Sequence, residues 1–322
     1  MKILIADDDP VSRRLLEKTL LLAGYDVVAV PNGMAAAEQL CKQDGPRLAL
    51  LDWEMPELDG PAVCPEVRKK KDQGYVYMVL LTSKGLKTDI VTGLGSGADD
   101  YLTKPFDSGE LKARLRTGQR ILHLEGRLVE ARENMRFKAT HDSLTSLFNR
   151  GVIMELLGRE ISRSRCERVP TAILLCDVDH FKNINDTHGH LIGDEVLQEA
   201  ARRLLLSVRS YDYVGRYGGE EFLIILNNCD PVSAPRRAEE IRRSLSDTTI
   251  QTSVGPLLVT MSMGAHQTEN WGVRTVDELL HEVDSAMYAA KAAGRNRISF
   301  TKPDIPSDAD HVVPIEAEKS FR

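Results

Sequence analysis

Two glycines and two glutamates separate two apolar runs in Val214-Gly215-Arg216-Tyr217-Gly218-Gly219-Glu220-Glu221-Phe222-Leu223-Ile224, and no other stretch constrains the fold as much. Adjacent glycines between strand-like segments read as a tight hairpin, because its central residues need φ > 0 and glycine reaches that region without a Cβ clash. Two carboxylates directly after the turn would repel a ligand's phosphates unless a divalent cation lay between them. The stretch therefore points to a magnesium–nucleotide site. A plain hairpin with an acidic tip is the alternative.

The chain has 322 residues, 42% of them hydrophobic, and a net charge of −6. That length suits two domains, and the charge offers no electrostatic reason to expect nucleic acid. Cys41, Cys64, Cys166, Cys176 and Cys229 are scattered with no Cys-x-x-Cys pair. This argues for reduced thiols in a cytoplasm over a disulfide framework or a zinc site. The N-terminal Met1-Lys2-Ile3-Leu4-Ile5-Ala6-Asp7 turns acidic at once, unlike a signal peptide. No run reaches the roughly 20 apolar residues a bilayer span needs, so a soluble cytoplasmic protein with no membrane partner is expected.

Short apolar runs alternate with helical periodicity over the first hundred residues. Strands are expected at Lys2–Ala6, Asp26–Val30, Leu48–Leu51, Tyr77–Leu81 and Asp100–Leu102. Helices are expected at Val11–Leu22, Gly33–Lys42, Gly60–Lys71, Thr88–Leu94 and from Ser108 onward. The pattern predicts an α/β domain with a parallel sheet covered on both faces and ligands outside the carboxyl ends of its strands. From Gly109 to Lys138 the chain is charged and proline-free, with Ile121, Leu124, Leu128, Ala131 and Met135 at the three–four spacing of a two-stranded coiled coil. Gly118 and Gly126 weaken that helix by about 1 kcal/mol each. A lone amphipathic connector helix is the alternative.

A second α/β pattern begins after His141. Strands are expected at Thr171–Cys176, Tyr213–Tyr217, Phe222–Leu226, Leu257–Met263 and Arg297–Phe300, and helices at Arg150–Cys166, Leu191–Ser207, Pro235–Ser246 and Val276–Ala293. The hairpin makes this sheet mixed. The tail from Thr301 lacks periodicity and is expected to be poorly ordered.

In the first domain, Asp7 and Asp8 end the first strand and Asp52 the third, so three carboxylates converge on one rim. Magnesium is the ordinary remedy for such crowding. Thr82 and Ser83 close the fourth strand and Lys104-Pro105 follows the fifth, adding hydroxyls and a cation suited to a phosphoryl group.

These motifs (Ile-Ala-Asp7-Asp8-Asp9, Leu-Asp52-Trp-Glu-Met-Pro56, Leu-Thr82-Ser and Tyr101-Leu-Thr-Lys104-Pro105) make residues 1–119 resemble a response-regulator receiver domain, a flavodoxin-like doubly wound fold. The resemblance implies phosphorylation of Asp52 by a histidine kinase. It also implies one magnesium held by Asp7, Asp8, Asp52 and the Glu54 carbonyl, Lys104 pairing with the acyl phosphate, and Thr82 with Tyr101 as the switch. The last receiver helix continues into the 120–139 linker, giving the switch a mechanical route onward.

In the second domain, Asp177-Val178-Asp179-His180-Phe181-Lys182 follows an apolar run and so leaves the sheet at a strand end. Asp177 with Glu220 and Glu221 forms a carboxylate set able to hold two magnesium ions on a triphosphate if the strands are neighbours. Lys182, Lys291 and Arg295 offer cations for phosphate oxygens. Asn185 and Asp194 offer the amide and acid of a guanine reader; a solvated loop and a helix N-terminal acid are the alternatives for those two.

Four blocks then make residues 140–300 resemble the GGDEF-family diguanylate cyclases, an α/β, mixed-sheet, nucleotidyl-cyclase or palm-like fold: His141-Asp142-Ser-Leu144-Thr145-Ser-Leu-Phe-Asn149-Arg150; Asp177 through Asn185-Asp186 with Gly193-Asp194-Glu195; Arg216-Tyr-Gly-Gly-Glu-Glu-Phe222; and Ala290-Lys291-Ala-Ala-Gly-Arg295-Asn296. The resemblance implies metals on Asp177, the Val178 carbonyl and Glu220, with the hairpin glycines Gly218 and Gly219 against the substrate. It places the triphosphate on Phe181, Lys182, Lys291 and Arg295, guanine on Asn185 and Asp194, and Glu221 nearest the attacking 3′-hydroxyl. Ser146 stands where glycine is commoner, in a loop remote from the metals. Arg209-Ser-Tyr-Asp212 matches the family's inhibitory site for the product, with Arg242 or Arg243 as a second contact; a surface salt bridge is the alternative.

The expected function is thus a homodimer, joined through the receiver and coiled-coil linker, that condenses two GTP into cyclic di-GMP and two pyrophosphates. Phosphorylation activates it and its product inhibits it. A catalytically inactive module sensing GTP or cyclic di-GMP is the alternative. A regulator acting on DNA is disfavoured by the lack of a basic recognition helix.

Overall fold

Residues 3–6, 48–51 and 77–81 are unbroken apolar runs, as expected of strands buried on both faces. The computed structural model describes residues 1–70, 74–83, 91, 93–268 and 275–301. In it these runs form a parallel sheet of order β2-β1-β3-β4-β5, from β1 Lys2–Ala6, β2 Asp26–Val30, β3 Leu48–Asp52, β4 Tyr77–Thr82 and β5 Asp100–Thr103. Side chains alternate across a strand. Leu4, Ala6, Ala49 and Leu51 therefore join one core with Ala36, Leu40, Val63 and Val67. Ile3, Ile5, Leu48 and Leu50 join the other with Leu16, Leu20, Leu111 and Leu115. Helices α2 (Gly33–Leu40) and α3 (Gly60–Lys69) cover the first face; α1 (Pro10–Leu22) and the start of α4 (Ser108–Thr140) cover the second. Truncating a residue such as Leu115 to alanine would cost about 2–5 kcal/mol. The helix expected over Thr88–Leu94 falls largely outside the described residues, as does the tail beyond Thr301.

Gly118 is more than a weak point in α4. A Cβ there would lie 2.5 Å from Tyr77 Cδ1 and 2.9 Å from Leu48 Cδ1, so the glycine lets the helix backbone rest directly on the sheet. Beyond it Ile121, Leu124, Leu128, Ala131 and Met135 are all exposed. The chain divides into two compact units, Met1–Asn134 and Met135–Arg322, and α4 begins in the first and ends in the second.

The second unit contains a mixed sheet of order β12-β11-β6-β8-β7. Its strands are β6 Thr171–Val178, β7 Tyr213–Arg216, β8 Glu221–Asn227, β11 Met261–Thr268 and β12 Ile298–Phe300. Ile173, Leu175, Leu223 and Ile225 pack on α5 (Arg150–Glu167) and α9 (Val276–Ala292). Leu174, Cys176, Phe222 and Ile224 pack on α7 (His190–Ser207) and α8 (Ser233–Ser246).

Two expectations need correction. The strand expected over Leu257–Met263 is two: β10 (Gly255–Leu257) folds back on β9 (Ile250–Thr252), and β11 starts only at Met261. Leu257, Leu258, Val259 and Met261 are interrupted only by Thr260, and hydrophobicity alone does not mark the change of sheet. No element was expected between the end of β6 and Leu191, yet that segment contains a helix, α6 (Phe181–His188); Asn185 is helical, against the solvated loop weighed as its alternative.

Candidate active site and phosphoacceptor pocket

A parallel sheet brings the carboxyl ends of its strands to one edge. That topology gathers Asp7, Asp8 and Asp52, whose ligand oxygens lie within 4.8 Å of one another. Lys104 Nζ donates to Asp52 Oδ2 at 2.8 Å and to Asp7 Oδ2 at 3.0 Å. Asp8, Asp52, Glu54, Thr82, Ser83 and Lys104 help line a cavity of about 190 Å³. Thr82 is buried, and Tyr101 is half-buried against the core beside it. Burial pushes the Asp52 carboxyl up, against the pull of Lys104. Burial also opposes the charge on Lys104, but the hydrogen bonds to Asp52 and Asp7 outweigh it and raise that amine. Clustered hard oxygen donors of this kind suit magnesium.

In the second unit, antiparallel pairing sets Asp177 opposite Glu221, and the Val178 amide donates to the Glu220 carbonyl at 3.2 Å. The two acidic segments are therefore neighbours, as an oxygen-ligated divalent ion requires. Lys291 Nζ stands 2.7 Å from Asp177 Oδ2. Among the described residues, only Asp7, Asp8 and Asp52 bring three acidic ligand atoms within 4.8 Å. Asp177, Glu220 and Glu221 are adjacent but do not converge as tightly, and Asp177 is paired with Lys291. Burial raises the Asp177 carboxyl against the lowering effect of Lys291. It raises Glu221 too, helped by the charges of Asp177, Asp284 and Glu220.

The hairpin glycines do not supply the positive φ expected of them. Neither Gly218 nor Gly219 is in the left-handed region. The Tyr217 amide donates to the Glu221 carbonyl at 2.8 Å to close the turn. A Cβ on Gly218 would lie 2.7 Å from Glu221 Oε2; its absence makes room for the acid.

Asn185 and Gly193 approach so closely that a Cβ on Gly193 would lie 1.9 Å from Asn185 Oδ1 and 3.1 Å from Phe181 Cζ. Asn185 Oδ1 is buried and, among the described residues, without a hydrogen-bond partner, which costs free energy unless a ligand completes it. Asp194 is exposed next to it on α7, and Lys182 is exposed on α6. Arg295 is exposed in a left-handed turn after α9.

The residues expected to bind product are only partly available. Arg209 is exposed, its guanidinium 5.7 Å from the Tyr211 ring centroid. Asp212 is buried and already accepts from the Arg209 amide, the Asn227 amide and Arg237, at 2.9, 2.9 and 3.1 Å. Arg242 is paired with Glu239 and hydrogen-bonded to Asn296; Arg243 also pairs with Glu239.

Several structural partners were not foreseen. Arg216 donates to Asp142 Oδ1 at 3.0 Å and to the Gly219 carbonyl at 2.7 Å, joining the segment after α4 to the hairpin. Hydrogen bonds from Thr145 and the Arg216 guanidinium outweigh burial and hold Asp142 below the usual carboxylate range. Arg237 is buried among Ala234, Ala238 and Ile241. A charge within an apolar helical stripe was its readable signal.

The fold defines an α/β protein of two units, a parallel-sheet unit with clustered acids at its strand ends followed by a mixed-sheet unit with acids at the β6 and β8 ends. Residues 3–116 match the response regulator receiver domain and residues 139–297 the diguanylate cyclase GGDEF domain. The chain therefore belongs to the response regulators that carry a GGDEF domain. The response regulator PleD of Caulobacter vibrioides is 34% identical over 253 residues, 78% of this chain and 56% of its own. The diguanylate cyclase DosC of Escherichia coli is 36% identical over 190 residues, 59% of this chain and 40% of its own. The crystal structure of the coiled coil and GGDEF domain of DgcB from Caulobacter crescentus, in complex with c-di-GMP, is similar with a TM-score of 0.52 and 29% identity. That match covers 59% of this chain and 99% of that one. The chain spans about half the length of the curated relatives it matches. Among the described residues no helix is long and apolar enough to cross a membrane.

Proposed function

We propose that this protein is a phosphorylation-controlled diguanylate cyclase that condenses two GTP into cyclic di-GMP and two pyrophosphates. The reading rests chiefly on the strand register that sets Asp177 opposite Glu221. Asp177, the Val178 carbonyl and Glu220, and in the first unit Asp7, Asp8, Asp52 and the Glu54 carbonyl, would hold magnesium, which would supply charge neutralisation for the phosphates at the two sites.

The protein's own groups do the rest. Asn185 Oδ1 and Asp194 accept from the guanine N–H groups, completing a buried acceptor that otherwise lacks a partner. Lys182, Lys291 and Arg295 hold the phosphate oxygens. Glu221, nearest the 3′-hydroxyl, accepts its proton; a carboxylate with a raised pKa is better suited to that task.

One domain holds one GTP and cannot close a symmetric ring alone, so two domains face each other in a homodimer. The exposed stripe Ile121, Leu124, Leu128, Ala131 and Met135 supplies its coiled-coil seam. A histidine kinase phosphorylates Asp52, the acyl phosphate engages Lys104, Thr82 and Tyr101 respond, and the receiver pair reorients the seam. Product inhibits through Arg209, whose guanidinium suits guanine O6 and N7, while Asp212 holds the turn that presents it.

Incubation of the purified protein with GTP and Mg²⁺, followed by chromatography, tests the reading. Cyclic di-GMP should accumulate, and faster with beryllofluoride. No product under either condition would leave a non-catalytic nucleotide-binding module.

A further inference from the structure

Asp179 follows β6 directly, two residues after Asp177, and has no part in the mechanism above. Its side chain is nonetheless buried and fully engaged. The Asp179 amide donates to the Thr260 carbonyl at 2.9 Å, and Oδ1 accepts from Ser262 Oγ at 2.6 Å. Oδ2 accepts from Thr260 Oγ1 at 2.7 Å and from the backbone amide of Asn296 at 3.0 Å. With three donors on its two oxygens, this carboxylate is not poised as a metal ligand. Its contacts tie the end of β6 to the turn after α9.

That turn is strained. Gly294, Arg295 and Asn296 are all in the left-handed region, at φ of 115°, 62° and 46°. Glycine tolerates this, but a residue with a Cβ does not do so freely, and such a conformation persists only where its surroundings over-determine it. The Gly294 and Arg295 amides donate back to the Lys291 and Ala290 carbonyls at 3.3 and 3.1 Å, ordinary closing bonds of a helix end. Arg242 on α8 holds the Asn296 side chain, and Asp179 holds the Asn296 backbone from the sheet. Arg295 sits between these anchors, four residues after Lys291, whose Nζ stands 2.7 Å from Asp177 Oδ2.

We propose that Asp179 is a positioning residue for the triphosphate grip: by fixing the strained Gly294-Arg295-Asn296 turn to the end of β6, it sets the turn that carries Arg295 beside Lys291 and Asp177. The inference rests on reading Lys291 and Arg295 as phosphate-binding residues.

The test is equilibrium binding of 3′-deoxy-GTP, which cannot condense, to the full chain with Mg²⁺. GMP, which lacks the β- and γ-phosphates, is the control. Asp179→Asn sets an amide N–H against a donor and should weaken 3′-deoxy-GTP binding about tenfold while GMP binding changes less than about twofold. Adding Asn296→Gly should restore most of the loss, because glycine adopts the turn without strain. Equal losses for both ligands, or no loss, would overturn the proposal. If Asp179→Asn does not fold, Thr260→Val removes one donor while keeping the side-chain shape and should show the same phosphate-selective loss at smaller size; its absence would equally overturn the proposal. A wild-type chain that binds neither nucleotide would sink the functional reading itself, whereas tight wild-type binding with an unaffected variant would sink this inference alone.

Discussion

Lys291 Nζ lies 2.7 Å from Asp177 Oδ2 across the β6–α9 interface, and the lysine opposes the upward push of burial on that carboxyl. Lys291→Met should therefore raise Asp177 further and move the acid limb of the pH–rate profile to higher pH. KM for GTP should rise as well, since a phosphate partner is lost. Steady-state kinetics across pH measure both, and an unmoved acid limb would argue against a coupled pair.

Gly193→Ala should impair guanine recognition more than stability. Alanine favours a helix over glycine by about 1 kcal/mol, but its Cβ would displace Asn185, whose Oδ1 is 1.9 Å from that position. KM for GTP should rise at least about tenfold and discrimination between GTP and ITP should fall, because unpaired polar groups carry selectivity. Competition assays with ITP read this directly.

Arg237→Met should destabilise the second domain by about 3–5 kcal/mol, the usual consequence of leaving a buried charge alone. Here that charge is Asp212, 3.1 Å from Arg237. Urea denaturation measures the loss. Adding Asp212→Asn should recover part of it.

Glu239 illustrates the opposite direction of shift. Hydrogen bonds from Arg242 and then Arg243 outweigh burial and hold it at about 2 instead of its ordinary 4.5. A value lower in the folded than in the unfolded chain means stability that is full above pH 4.5 and lost as pH falls toward 2. Glu239→Gln should cost less than about 1 kcal/mol at neutral pH, since the group lies at the surface, where solvent screens its ion pairs. Urea midpoints compared at about pH 7 and about pH 3 should converge at the acid end.

Asp52→Asn should leave basal turnover within about twofold while removing any response to a phosphodonor or beryllofluoride, because the substitution deletes the acceptor oxygen and spares the second domain. Assays with and without acetyl phosphate decide the point. A response that survives would move the phosphoacceptor elsewhere.

Much of the fold was legible because it depends on local pattern. The runs 3–6 and 48–51 read as buried strands, and the acids at their ends were placed on one rim by parallel topology alone; Asp7, Asp8 and Asp52 meet there. The break between β10 and β11 was not legible, since Leu258 and Val259, which lie in neither strand, are as apolar as the strand residues on either side. Gly218 was read for its backbone freedom, yet it is small to leave room for Glu221.

By itself the sequence determined which residues end strands, which helical faces are apolar, and that carboxylates, amides and cations suited to a nucleotide recur at those ends. Tertiary structure alone decided which of them are already satisfied. Asp212 is bound by Arg237, Asp179 by the Asn296 amide, and Asp177 by Lys291. The reason is physical: hydrophobic periodicity is local and repeats along the chain, whereas a buried charge is satisfied by partners from distant segments whose positions exist only after the sheets and helices have packed.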